Sequence, residues 1–203
     1  NEMLRKLRAE VEDGRITASN EAVKAGKLVQ IACGVSYDDQ KETIQFPCKP
    51  RLDEVEELIQ ESQSKTIVFA PFVSVVHMLA EHLGKSGYSV EMIYGDVSKT
   101  RRHEIFSAFQ RSAQPQVIVA QPSAMSHGLT LTAASTIIWY APITSADTYG
   151  QANGRITRPG QQHNTLIVHI SGTQEERKMF NRLKNKERMQ GILLSMAVQA
   201  RAA

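Results

Sequence analysis

Short apolar runs rich in β-branched residues alternate with helical patterns from residue 51 onward, and this alternation constrains the fold more than any other feature of the chain. The runs are continuous rather than interrupted by polar residues, which is typical of strands buried on both faces of a sheet. We predict strands at residues 66–70, 90–94, 117–120, 136–140 and 165–170, and helices at 53–61, 74–83, 100–110, 148–155 and 174–190. The pattern predicts an α/β fold in which helices cover both faces of a parallel sheet.

The N-terminal part has a different pattern and is predicted to form an appendage. We expect a first helix, a second helix and a polar hairpin, in that order, at residues 1–12, 22–32 and 37–46. Gly14 ends the first helical pattern, and Ser19 or Asn20 is placed to cap the second helix. We therefore divide the chain into a helical and β-hairpin appendage, residues 1–50, and an α/β domain, residues 51–203.

Composition excludes several classes of protein. The 203 residues are 41% hydrophobic, so the chain can bury a core without disulfide bonds. The spacing of Cys33 and Cys48 fits no zinc or redox motif, and we expect two free thiols in a reducing compartment. Residues 66–80 form the longest mostly apolar segment, which falls short of the roughly 18 residues of a membrane span. We expect a soluble protein with no membrane partner.

Positive charge is concentrated at the C-terminal end. The whole chain has a formal net charge of only +3. From residue 151 onward, however, the sequence contains nine basic residues and three acidic ones. This asymmetry indicates a partner that carries phosphate groups.

Motifs for a complete nucleotide-hydrolysing site are absent from the sequence. There is no GxxxxGK[ST] phosphate loop, and no GxGxxG follows a strand. The sequence also lacks GxSxG and HExxH. The chain by itself is therefore not predicted to hydrolyse nucleotides.

The segment QANGRITRPGQ, residues 151–161, contains the strongest candidate site. If the helix continues through it, Gln151, Arg155 and Arg158 project from one face. Guanidinium groups bind phosphate oxygens and neutralise charge on a transferring phosphoryl group. On spacing alone, a solvated basic helix end closed by Pro-Gly remains the alternative.

This segment resembles motif VI of superfamily-two helicases and translocases, and its QA start and RPGQ end are most similar to the Swi/Snf-type branch. Five further blocks resemble motifs of that family in the family's order, namely TIVFAP, IYGD with EIFSAFQ, QPSAMSHGLTLT, WYAP and GTQEE. The opening KLVQIACG is similar to bacterial and phage members. The resemblance covers nearly the whole chain.

The resemblance implies the second RecA-like domain of a two-domain motor that uses ATP and Mg to move along DNA. A first RecA-like domain outside this sequence, with the phosphate loop and the metal-binding acidic motif, would hold most of the ATP and Mg. By the family pattern, Arg155 and Arg158 would act as arginine fingers and Gln151 would help to sense the γ-phosphate. Gly128 and Thr130 would lie near the nucleotide sugar.

Gly95, Ser123 and His127 are candidates for contact with the DNA backbone. A simple turn at Gly95 and an ordinary loop histidine at His127 remain the alternatives. Two departures weaken the family pattern, because Thr130 stands where the family often has Asn and Ser126 where it often has Gly. The long insertions of chromatin remodellers are absent between motifs IV and V, which favours a bacterial or viral origin. We expect a cytoplasmic location, near the nucleoid or in a phage-infected cell.

Two other functions remain open. The first is an RNA helicase, against which the RPGQ ending and the GTQEE block argue. The second is a non-catalytic nucleic-acid- or protein-binding module on a degenerate helicase fold. The intact Gln151, Arg155 and Arg158 argue against that module, which would not need them.

Other conspicuous residues have structural explanations on sequence grounds. Arg101 and Arg102 are interpreted as solvated charges at a helix start, and Trp139 as a core residue. The basic run 182–188 is interpreted as a solvated helix face, with contact to the DNA backbone as the alternative.

Overall fold

The computed structural model describes residues 8–11, 14–17, 21–38, 40, 42–125 and 130–186, with side chains from residue 26 onward. Its N-terminal part contains two small antiparallel hairpins and one helix. In chain order these elements are β1 (Arg8–Val11), β2 (Gly14–Thr17), α1 (Glu21–Ala32), β3 (Val35–Tyr37) and β4 (Thr43–Gln45).

The helix predicted over residues 1–12 is wrong where the structure describes it. Arg8–Val11 is strand β1, which pairs antiparallel with β2. Polar and apolar residues alternate in both strands with the period of two that strands require, and only two residues separate the strands, as in a tight hairpin. Most of the apolar residues that suggested a helix precede β1 and lie outside the described residues.

The other two N-terminal elements are confirmed as α1 and the β3–β4 hairpin. Ser19 and Asn20, the predicted caps of α1, lie outside the described residues. Between α1 and β3, Gly34 has a φ of +88°, and a Cβ at this position would collide with the Cys48 side chain. Glycine is therefore required here both for its backbone conformation and for its lack of a side chain.

A five-stranded parallel sheet forms the centre of the rest of the molecule, in the order β6-β7-β5-β8-β9. Its elements follow in chain order as α2 (Lys49–Glu61), β5 (Lys65–Phe69), α3 (Val73–Lys85), β6 (Val90–Ile93), α4 (Lys99–Arg111), β7 (Val117–Ala120), β8 (Ala134–Trp139), α5 (Ala146–Asn153) and β9 (Leu166–His169). Residues 174–186 form helix α6. All five predicted strands and all five predicted helices of this part are confirmed within the described residues, and residues 187–190 of the helix predicted at 174–190 lie outside them.

Helices cover both faces of the sheet. Along β5, Phe69 faces one buried cluster and Val68 the other, as the alternation of a strand requires. The Phe69 cluster contains residues of α4, α5 and α6, whereas the Val68 cluster contains residues of α1, α2 and α3. The predicted fold class is therefore confirmed.

The appendage packs against the sheet. Val29, Cys33 and Val35 belong to the second cluster, and the Tyr140 hydroxyl donates to the Cys33 carbonyl at 3.2 Å. Both cysteines are free thiols, as predicted, and burial raises the pKa of Cys33 to about 12. The division of the chain at residue 50 stays a prediction. Among the described residues, no helix is long and apolar enough to cross a membrane.

Candidate functional site

Helix α5 carries Gln151 but ends before the two arginines. Its first turn is capped by Ser145, whose hydroxyl accepts from the Thr148 N–H at 3.2 Å. Its last residue, Asn153, accepts from the buried indole N–H of Trp139 at 2.9 Å, which fixes the helix end to the core. The prediction of one shared helical face is therefore wrong, because residues 154–158 form turns and bends instead.

The two arginines after α5 have different environments. Arg155 is only 3% exposed, whereas Arg158 is exposed and donates through Nε to the Gly154 carbonyl at 3.0 Å. Burial, and secondarily the positive charge of Arg158, lower the pKa of Arg155. An anion bound near both guanidinium groups would favour the charged form of Arg155.

The segment that enters β8 lies beside these arginines. The Leu131 N–H donates to the Arg155 carbonyl at 2.9 Å, so Thr130, which is exposed, lies one residue from this bond. Gln161 closes the turn, since its amide donates to the Ala134 carbonyl at 2.8 Å. The structure thus brings Thr130 close to Arg155, although Gly128 and His127 lie outside the described residues.

This position differs from the edge of the sheet where ligand sites of parallel α/β folds gather. Arg155 contacts Leu131, which lies near the start of β8 in the connection from β7, and so at the end of the strand where β8 begins. Gln151 is exposed one turn before this point. The roles predicted for Gln151, Arg155, Arg158 and Thr130 stay predictions.

A second group of candidate residues does lie where strands end. Gly95 follows β6, and Ser123 lies in a 3₁₀ turn, Pro122–Met125, that follows β7. Both residues are exposed. Their roles toward nucleic acid stay predictions, but their loops are joined by two side chains that were not among the predicted site residues.

The first of these side chains is that of Arg102. Its Nη2 donates to the carbonyls of Tyr94 and Gly95 at 3.1 and 2.8 Å, and its Nη1 donates to the Ala124 carbonyl at 3.3 Å. The interpretation of Arg102 as a solvated charge is therefore wrong. Arg101 does lie at the surface, where it pairs with Glu91 at 2.8 Å.

The second is that of Gln121, which directly follows β7. Its Nε2 donates to the Pro71 carbonyl at 3.2 Å, and its Oε1 accepts a longer bond of 3.4 Å from the Gly95 N–H. Gln121 and Arg102 together connect the segments that follow three neighbouring strands, β5, β6 and β7. The signal in the sequence was the position of Gln121 at a strand end.

Two further predictions can be compared with the structure. Trp139 is fully buried and packs on Phe69 and Tyr149, as predicted for a core residue. Among the described residues, no group of three or more His, Cys, Asp or Glu side chains is arranged to hold a metal ion.

Solved helicase domains have the same fold as this chain. The C-terminal part of the Fun30 ATPase domain superimposes with a TM-score of 0.60 at 20% identity, over 64% of this chain and 44% of that chain. The C-terminal domain of the DEAD-box protein Dbp5 superimposes with a TM-score of 0.58 at 17% identity, over 68% and 78%. The fold is thus that of a RecA-like helicase C-terminal domain.

The sequence family follows from a separate comparison. The helicase conserved C-terminal domain model matches residues 50–160, more than half of the chain, and the chain belongs to this family. The SWI/SNF-related matrix-associated actin-dependent regulator of chromatin subfamily A-like protein 1 of Xenopus tropicalis is 26% identical over 76% of this chain and 17% of its own length. DNA repair protein RAD5A of Arabidopsis thaliana is 27% identical over 73% and 15%.

An uncharacterized ATP-dependent helicase of Mycoplasma pneumoniae is 30% identical over 58% of this chain and 12% of its own length. The chain thus spans less than a fifth of the length of these curated relatives. It is a helicase C-terminal domain of the Swi/Snf type within superfamily two.

Proposed function

We propose that this domain is one half of an ATP-dependent DNA translocase or helicase, in which Arg155 and Arg158 act on the γ-phosphate across a cleft. The other half is an N-terminal RecA-like domain of the same protein, which binds most of the nucleotide. The motor works where DNA is found, in the cytoplasm of a bacterial or phage-infected cell. The relatives named above as ATP-dependent helicase and DNA repair protein support this proposal.

One observation carries the proposal most directly. The buried Arg155 and the exposed Arg158 lie next to the segment that contains Thr130, and the charge of Arg158 adds to burial in lowering the pKa of Arg155. Keeping two cations together is unfavourable, and an anionic phosphate would offset that cost. Arg158 is the better candidate for contact across a cleft because its guanidinium is exposed.

The residues present fit one side of a bound nucleotide. Arg155 and Arg158 supply phosphate donors, Gln151 adds an exposed amide near them, and Thr130 adds a hydroxyl near the sugar. A bound Mg²⁺ would neutralise charge that develops on the phosphate oxygens. Since the described residues offer no carboxylate cluster for Mg²⁺, we assign its ligands to the N-terminal domain.

The DNA track in this proposal runs past the loops after β6 and β7. Exposed Ser123 presents a hydroxyl, and exposed Gly95 has no side chain to keep a phosphate away from the backbone; neither contact reads base sequence. Arg102 and Gln121 keep these two loops together. We therefore expect binding that is insensitive to base sequence and steeply dependent on salt.

ATP turnover by the complete protein tests the arginine roles. A supplied arginine is worth about 10³-fold or more in rate, so we expect Arg158→Ala to lower kcat at least about 100-fold. Arg158→Lys keeps the charge but loses the planar fork, and we expect nearly the same loss. Arg111→Ala is a matched control, because Arg111 is an exposed arginine at the end of α4.

The thermal midpoint separates catalysis from stability. Substitution of the exposed Arg158 is expected to leave it within a few degrees of wild type. Normal kcat in Arg158→Ala would remove this residue as a finger and transfer the role to Arg155. Turnover by the 203-residue chain without any N-terminal domain would overturn the two-domain proposal itself.

A further inference from the structure

Helix α6 presents a basic surface that the proposed track does not use. Its exposed residues include five cations, Arg177, Lys178, Arg182, Lys184 and Lys186. Its exposed part carries one carboxylate, that of Glu175, because Glu176 is buried against Arg51. None of the five cations forms a side-chain hydrogen bond or ion pair with another residue in the described ranges.

Five of the exposed side chains lie together on one face of the helix: Lys178, Asn181, Arg182, Asn185 and Lys186. They follow the i, i+3, i+4, i+7, i+8 spacing that places helical residues on a common face. Three cations therefore recur about every 6 Å along the helix, with two amides between them. We call these five residues the α6 basic face.

The α6 basic face is held rigidly. Phe180 and Leu183, on the opposite side of the helix, are buried in the core, and the Phe180 ring packs on His169 with centroids 4.6 Å apart. At the first turn, Glu176 pairs with Arg51 at 2.9 Å. A helix fixed at its start and along its length presents its cations from a backbone that is already ordered.

The residue types of the α6 basic face favour one class of binding partner over the others. Protein interfaces are enriched in aromatic residues and depleted in lysine at their centre, and this face contains no apolar residue. A membrane-surface helix needs an exposed apolar side, but the apolar side of α6 is buried in the core. Amides alternating with cations instead suit the phosphate oxygens of a nucleic-acid backbone.

We propose that the α6 basic face is a second nucleic-acid-binding surface, which contacts the phosphate backbone of duplex DNA through Lys178, Arg182 and Lys186. This inference rests on the proposed function, because it takes DNA to be the partner. It adds a surface outside the motifs by which the family was identified, on an element that begins after the last strand of the sheet.

The salt dependence of DNA binding tests the proposal on the 203-residue chain. The test variant is Lys178→Gln/Arg182→Gln/Lys186→Gln, in which glutamine keeps a good helix former and removes only charge. The control variant, Lys49→Gln/Lys85→Gln/Arg111→Gln, loses three exposed cations elsewhere. The probe is one fluorescent duplex of random sequence, measured by anisotropy from 50 to 200 mM NaCl.

Each phosphate neutralised contributes about 0.9 to the slope of log affinity against log salt. Losing three contacts should therefore reduce the steepness of this slope by about 2.7. Over this fourfold range of salt, the test variant should lose about 40-fold less affinity than the wild type. The control has the same net charge and should keep the wild-type slope. Circular dichroism should show the same helix content in all three proteins.

An unchanged slope in the test variant overturns this inference and leaves the proposed track intact, provided that the wild type binds DNA. Equal changes in test and control variants also overturn it, since only net charge would then matter. A wild-type chain that binds anionic phosphatidylserine vesicles but not DNA would overturn both this inference and DNA as the partner. A changed slope confined to the test variant supports it.

Discussion

The guanidinium of Arg51 donates through Nη2 to both carboxylate oxygens of Glu176 at 2.9 Å, and the two side chains are 8% and 1% exposed. Arg51 also donates to the Tyr140 carbonyl at 2.6 Å. Glu176 accepts from the backbone N–H groups of Gly172 and Thr173 at 3.0 Å. The pair therefore joins α2, the end of β8 and the start of α6. It gives Glu176, the last residue of the GTQEE block, a structural role.

Breaking this pair should destabilise the fold strongly. Glu176→Ala leaves the Arg51 cation buried without its partner, and we expect the free energy of unfolding to fall by about 3 to 5 kcal/mol. Glu175→Ala, at the exposed neighbouring position, should change it by about 0.5 kcal/mol or less. Urea denaturation measures both, and a loss below about 1 kcal/mol in Glu176→Ala would show that the pair contributes little.

Arg102 should stabilise the loops at the strand ends much more than its neighbour Arg101 does. Arg102→Gln removes charged donors from three backbone carbonyls, and we expect a loss of about 1.5 to 3 kcal/mol. Arg101→Gln removes exposed ion pairs only and should leave the free energy of unfolding close to that of the wild type. Equal unfolding midpoints in urea for the two variants would contradict the difference in role.

The strands were predictable because they are continuous apolar runs, each bounded by turn-forming residues. The end of α5 was not, since helical spacing continues through Arg155 and Arg158 in the sequence. The helix stops at Asn153 instead, where the side chain accepts from Trp139, a residue fourteen positions earlier. This contact joins residues that are distant in the sequence, so the spacing of Gln151, Arg155 and Arg158 contains no information about it.

Arg102 shows a second limit of prediction from the sequence. Arg101 and Arg102 are adjacent and chemically identical, so a sequence pattern cannot tell which points to solvent. The packing of α4 decides it, by turning Arg102 toward the carbonyls after β6 and Arg101 toward Glu91. Likewise, the proximity of Thr130 to Arg155 depends on how α5 lies along β8, which only the folded chain shows.

Trp139 provides a spectroscopic probe of the helix end, because it is the only tryptophan in the chain. Asn153→Ala leaves the buried indole N–H without its 2.9 Å acceptor, and we expect a loss of about 1 to 3 kcal/mol. The emission maximum of the folded protein should also shift. Asn164→Ala, at an exposed position, should change neither property, and an unshifted spectrum in Asn153→Ala would argue against the bond.

His169 should make stability depend on pH. Burial, and secondarily the charge of Lys184, lower the pKa of His169 to about 4, and its Nε2 lies 2.7 Å from the Tyr149 hydroxyl. In the unfolded chain a histidine has a pKa of about 6.5. The unfolded state therefore takes up a proton between about pH 6.5 and pH 4 that the folded state does not.

The contribution of His169 is accordingly complete above about pH 6.5 and is lost as the pH falls toward 4. Because the side chain is only partly buried, we expect a change of about 1 to 2 kcal/mol over that window. His169→Gln should flatten this part of the stability profile, whereas His163→Gln, at an exposed position, should leave it as in wild type. Urea unfolding at half-unit pH steps measures the difference, and identical profiles for His169→Gln and wild type would show that the imidazole does not titrate with folding.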